Sequence, residues 1–110
     1  MTLECKKKLI PYSLKQKKPE LVLKNAEIVD VFTKRVKQAD VAIQEGYIVG
    51  VGSFPGEKEV DLSGKYLVPG FLDAHVHIES SMVSPELFSR EVLPHGTTTV
   101  IADPHEIVNV

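Results

Sequence analysis

Between Phe71 and Ala102 the chain reads strand, helix, strand, and no other feature restricts its fold so tightly. From Leu72 to Ile78 apolar residues alternate with polar or titratable ones, the period of a strand with two unlike faces. Ser84-Pro85-Glu86 carries the marks of a helix start. The serine can accept from free N–H groups, the proline needs no donor there, and the acid faces the positive end of the helix. A helix is expected over 85–92, stopping before Pro94 and leaving through His95-Gly96. Thr97 to Ala102 is rich in β-branched residues, which predicts a second strand over 97–102. Strands joined through a helix run parallel. Parallel sheets are covered on both faces, which one βαβ unit cannot do alone. A closed (β/α)8 barrel needs about 250 residues. Residues 69–110 are therefore expected to be the truncated start of such a barrel, its strands at 71–78 and 97–102.

Upstream the texture differs. Leu21 to Leu23, Ile28 to Phe32, Val41 to Ile43, Tyr47 to Val51, Val60 to Leu62 and Tyr66 to Val68 are short apolar runs. Lys24-Asn25, Glu45-Gly46, Ser53 to Gly56 and Ser63-Gly64 separate them, all suited to turns. Short, closely spaced strands predict that residues 20–68 form a small antiparallel β-sandwich-like or barrel-like domain. Residues 1–19 are rich in lysine and show weak helical periodicity, so they are expected to be a solvated leading segment. The fold class expected is thus mixed β and α/β.

Composition narrows the partners. Hydrophobic residues make up 43% and charged residues 25% of the chain, with a formal net charge of -2. These values fit an ordinary soluble globular protein, and near-neutral charge gives no reason to expect nucleic acid or an anionic membrane. No stretch approaches the roughly 18 apolar residues that span a bilayer. A single cysteine, Cys5, excludes an internal disulfide and suits a reducing cytoplasmic setting.

The chemistry is concentrated around one strand. Asp73, His75, His77 and Glu79 fall at alternate positions and are expected to share a face, while Leu72, Ala74, Val76 and Ile78 share the other. Two imidazoles two residues apart on a rigid strand can reach one metal ion, and the C-terminal end of a barrel strand is where such folds keep their sites. A bare His-x-His is common by chance. Four such groups on an otherwise apolar strand are costly to bury unless they bind something. His75 and His77 are the expected ligands, and Asp73 is expected to orient one of them or close the strand end. Glu79, Asp103, His105 and Glu106 are candidates for accessory metal or substrate contacts. Asp103-Pro104-His105-Glu106 reads equally well as a capped helix start. Ser80 and Ser81 follow the ligand strand and would line a substrate loop. His95 and the threonines 97 to 99 are expected to be structural.

Pro69-Gly70-Phe71-Leu72-Asp73-Ala74-His75-Val76-His77, placed after a small β domain, resembles the amidohydrolase superfamily. Leu21-Val22-Leu23-Lys24-Asn25-Ala26, Asp40-Val41-Ala42-Ile43 and Ile48-Val49-Gly50-Val51-Gly52 fit that pattern as well. The succession His77-Ile78-Glu79-Ser80-Ser81-Met82, Leu93-Pro94-His95-Gly96-Thr97-Thr98-Thr99 and Asp103-Pro104-His105-Glu106 is similar to the adenine deaminase branch. The resemblance implies a β domain that is half of a composite sandwich, followed by a metal-dependent hydrolase barrel. It further implies deamination of adenine to hypoxanthine and ammonia in purine salvage. The implied cofactor is divalent manganese or iron, with zinc as an alternative, and the parent is expected to be a homo-oligomer. The remaining ligands and the general base are expected beyond residue 110, leaving this stretch inactive alone. Another amidohydrolase, such as a dihydroorotase-like or hydantoinase-like cyclic amidase, and a non-catalytic scaffold of the same fold are the alternatives.

Overall fold

The computed structural model describes residues 2–103. The chain divides into two compact units that meet between Val68 and Pro69.

The first unit opens with a helix, α1 (Leu3–Ser13). The leading segment, expected to be solvated with only weak helical periodicity, forms a capped helix whose residues are mostly exposed. The Thr2 side chain accepts from the Cys5 N–H at 3.3 Å, capping the first turn. The exit is closed by Lys15 N–H to the Tyr12 carbonyl at 3.0 Å and Gln16 N–H to the Pro11 carbonyl at 2.8 Å. Those are the two bonds of a Schellman closure, with Lys15 at φ 59 where a glycine is the usual occupant. One face of the helix buries Leu9, while Leu3, Ile10 and Leu14 stay exposed.

Five strands follow: β1 (Leu21–Asp30), β2 (Arg35–Gln44), β3 (Tyr47–Gly52), β4 (Lys58–Asp61) and β5 (Tyr66–Leu67). They form one sheet in the order β3-β2-β1-β4, with β5 also on β1. The β1–β2 and β2–β3 pairs are antiparallel, as the short hairpin spacing predicts. In β4 and β5 the expectation fails, because both run parallel to β1. Glu45 and Gly46 both have positive φ, the conformation a two-residue hairpin between right-twisted strands requires.

Lys24-Asn25, which reads as a turn, lies inside β1. Leu23 pairs with Val41 and Ala26 with Ala39, so two residues of β1 oppose Asp40 alone and form a β-bulge. Asp40 holds it in place. One carboxylate oxygen accepts from the Asn25 N–H at 3.1 Å, and the other meets Lys24 Nζ at 2.6 Å and the Phe54 N–H at 3.2 Å. Burial favours the neutral acid, but these donors outweigh it and hold the Asp40 carboxyl below its ordinary range. Phe54 in turn packs with Val22, Ala42 and Val49 as the core of the sheet. Its ring lies so close over Gly50 that a Cβ there would overlap it.

The second unit contains β6 (Phe71–Val76), α2 (Pro85–Val92) and β7 (Thr97–Ala102). The Ser84 hydroxyl accepts from the Leu87 N–H at 3.3 Å, and Pro85 opens α2. Strands β6 and β7 are parallel, with Phe71 opposite Thr97 and Val76 opposite Ala102. The strand expected over 71–78 ends at Val76. Ile78 adopts helical angles (φ −65, ψ −39) and Glu79–Ser81 form a single 3-10 turn.

Candidate functional site

His75 lies near the C-terminal end of β6, and His77 is the first residue beyond it. Strand alternation sends both rings to the same side, where their Nε2 atoms approach to 3.0 Å. The rings are nearly perpendicular, at 83°, with centroids 4.7 Å apart.

The tautomer of His77 follows from its neighbours. Its Nδ1 lies 3.1 Å from the backbone carbonyl of Asp103. A carbonyl can only accept, so Nδ1 carries the proton and Nε2 presents a lone pair toward His75. On its own the pair is satisfied by one N–H···N bond with His75 donating. An ion held about 2.0–2.1 Å from each imidazole would set neighbouring donors about 2.8–3.4 Å apart, from octahedral to tetrahedral angles. The observed separation fits that requirement, so this pair can serve as two adjacent ligands without moving the backbone.

Asp73 supports the pair from the strand. Its Oδ1 accepts from the His75 N–H at 3.1 Å, so it acts on the backbone that carries that imidazole. Asp103 reaches His77 through its main-chain carbonyl. The cause is register: Val76 opposite Ala102 brings the next residues, His77 and Asp103, together. A main-chain carbonyl leaves no mark in the sequence, so reasoning from side chains missed this contact.

Glu79 departs from the shared strand face expected of it, because the chain turns at Ile78. It nevertheless remains beside His77, with Oε1 3.7 Å from Nδ1 and a side chain only 2% exposed. Ser80 and Ser81 occupy the turn, and the Ser81 hydroxyl donates to the Ile78 carbonyl. His95 ends the short 3-10 turn Leu93–His95 on the way to β7, beside the start of β6, where Phe71 N–H meets the Gly96 carbonyl. His105 and Glu106 lie outside the described residues. Among the described residues, no group of three or more His, Cys, Asp or Glu side chains is placed to hold a metal ion. No helix among them is long and apolar enough to cross a membrane.

Residues 66–110 match the family described as the amidohydrolase family. The chain is 54% identical over all 110 residues to adenine deaminase 2 of Desulfotalea psychrophila, covering 19% of that protein. It is 58% identical over 101 residues to an adenine deaminase of Geobacillus kaustophilus, covering 92% of this chain and 18% of that one. An adenine deaminase of Ligilactobacillus salivarius shares 59% over 104 residues, again 18% of its length. The chain thus spans about a fifth of the length of the curated relatives it matches. Among solved structures, L-hydantoinase (dihydropyrimidinase) from Arthrobacter aurescens superposes with a TM-score of 0.63 at 25% identity, covering 77% of this chain and 20% of that one. An N-acyl-D-glutamate deacylase from Bordetella bronchiseptica, solved with zinc and a phosphonate inhibitor, gives 0.63 at 30% identity, covering 78% and 19%.

Proposed function

We infer that this chain is the amino-terminal part of an adenine deaminase of the amidohydrolase family, a metal-dependent hydrolase built on a (β/α)8 barrel. Identity of 54% to an adenine deaminase over the full 110 residues carries the reading. The convergence of His75 and His77 at the end of β6 supports it independently.

Adenine and water are the substrates, and hypoxanthine and ammonia are the products. Water adds to the ring carbon bearing the amine, a C–O bond forms, and the C–N bond breaks. His75 and His77 would hold a divalent ion through their Nε2 atoms. Asp73 steadies the backbone of His75, and the Asp103 carbonyl fixes the ring of His77. A divalent ion there supplies Lewis-acid activation of water near neutral pH. Manganese or iron suits an imidazole and carboxylate ligand set, with zinc as the alternative. Glu79, Asp103, His105 and Glu106 are the candidates for accessory metal or substrate contacts from this chain, and Ser80 and Ser81 the substrate-loop candidates. The proton-transfer group and the remaining ligands belong to later strands of the barrel. The whole enzyme is proposed to work in the cytoplasm as a homo-oligomer, with neither nucleic acid nor membrane as partner.

A cyclic-amide hydrolase is the second reading, favoured by the backbone likeness to the hydantoinase. One assay separates the two. Full-length protein loaded with manganese should release ammonia from adenine and leave hydantoin and dihydropyrimidine rings closed. His75→Ala with His77→Ala should lower adenine turnover by at least about 100-fold, since even supporting groups around a metal are worth 10–100-fold. Ring opening without adenine turnover would replace the first reading by the second.

A further inference from the structure

We propose that Glu79 is a positioning residue that acts on the metal site through His77, and does not itself ligate the ion that His77 and His75 would share. The proposal rests on the metal-site reading above. Geometry separates the two roles. The His77 Nε2 faces His75, whereas Glu79 Oε1 lies 3.7 Å from the other ring nitrogen, Nδ1. The approach is to the nitrogen that does not face His75, so it bears on how the ring presents Nε2.

Burial gives the second observation. The Glu79 side chain is 2% exposed, and its Oε1 has no hydrogen-bond partner among the described residues. A buried carboxylate oxygen left in that state costs stability. The local backbone enforces the placement. Ile78 leaves the strand with helical angles, and the Ser81 N–H and hydroxyl both close onto the Ile78 carbonyl. This turn swings Glu79 off the strand path and back beside the imidazole.

The chemical effect follows from the distances. The Asp103 carbonyl, at 3.1 Å, takes the Nδ1–H directly. Glu79, at 3.7 Å, is too far for a hydrogen bond but close enough for its negative charge to act on that N–H. Both favour the proton on Nδ1 and make Nε2 the better electron donor, as acceptors behind a ligating histidine generally do.

The test is manganese affinity by equilibrium dialysis of the full-length protein, with thermal unfolding of the same samples before metal is added. Glu79→Ala should weaken manganese binding about 10–100-fold. Glu79→Gln, which keeps the shape and loses the charge, should fall between Glu79→Ala and wild type. Neither should unfold at a lower temperature, because the buried charge is gone. Manganese affinity of both variants within twofold of wild type would overturn the proposal. So would an affinity loss that only tracks lower unfolding temperatures, the mark of a merely structural role. If Glu79→Ala fails to fold, Glu79→Gln alone decides on the same terms. Wild type that binds no manganese, or His77→Ala that binds it as tightly as wild type, defeats the metal-site reading and this proposal together. Unchanged binding in both Glu79 variants beside lost binding in His77→Ala defeats only the proposal.

Discussion

The two units of this chain treat their apolar residues in opposite ways. Residues up to Val68 bury Leu9, Val22, Ala26, Val41, Ala42 and Phe54, and place Asp40 among them with its donors arranged. Beyond Pro69 no described apolar residue is buried. Phe71 is 57% exposed, Leu72 62% and Ile101 57%, although all three lie in strands. The difference follows from topology. The first sheet can bury one face against the Phe54 loop, whereas a lone parallel strand pair with one helix leaves both faces short of cover. The His75–His77 pair thus sits on elements whose local geometry is well set but whose own packing is thin.

The sharpest break of this contrast compares truncations on the two sides of it. Phe54→Ala should cost the first unit about 3–5 kcal/mol, enough to erase cooperative urea unfolding in a domain of this size. Leu72→Ala should cost this chain a small fraction of that, because its side chain is already largely in solvent. Equal losses would mean that the second unit has a core of its own.

A second test uses pH. The folded Asp40 carboxyl titrates below its ordinary range. Its stabilising effect is therefore complete above about pH 4, the unfolded value, and fades as pH falls through the lower folded one. Asp40→Asn should cost about 1–3 kcal/mol at neutral pH, since it weakens the acceptor of the Asn25 and Phe54 N–H groups and removes the charge opposite Lys24. It should also flatten the loss of stability on acidification. Urea midpoints measured at neutral and acid pH check both parts, and an unchanged acid slope would remove Asp40 from the account.

The smallest effect belongs to the second unit. Ser84→Ala removes the cap on α2 and should cost that helix about 1 kcal/mol, read as faster amide exchange at Leu87 and Phe88. No change there would show that α2 is held by packing instead of by its cap.

Much of this structure was legible residue by residue. Ser84-Pro85-Glu86 stands where α2 begins, and Glu45-Gly46 makes the hairpin turn, because caps and tight turns depend on side chains a few positions apart. Other signals misled for want of a distant partner. Lys24-Asn25 has turn chemistry, yet Asp40 accepts its donors from across the sheet and makes it a bulge. Helix α1 carries no glycine at its exit, and the closure at Lys15 comes from backbone bonds that leave no compositional trace. The parallel placing of β4 and β5 depends on pairing with β1, which no local pattern specifies.

The same division runs through the site. The sequence alone placed His75 and His77 two residues apart on a strand, and strand alternation is a local property that turns both rings to one side. Only the tertiary structure decided how those rings are held. The Asp103 carbonyl meets His77 from 26 positions away, through the parallel register of β6 and β7, and Glu79 returns to the ring because the strand stops at Val76. Side-chain periodicity is written in the order of the residues, whereas backbone partners are set by which strands pair and where each one ends.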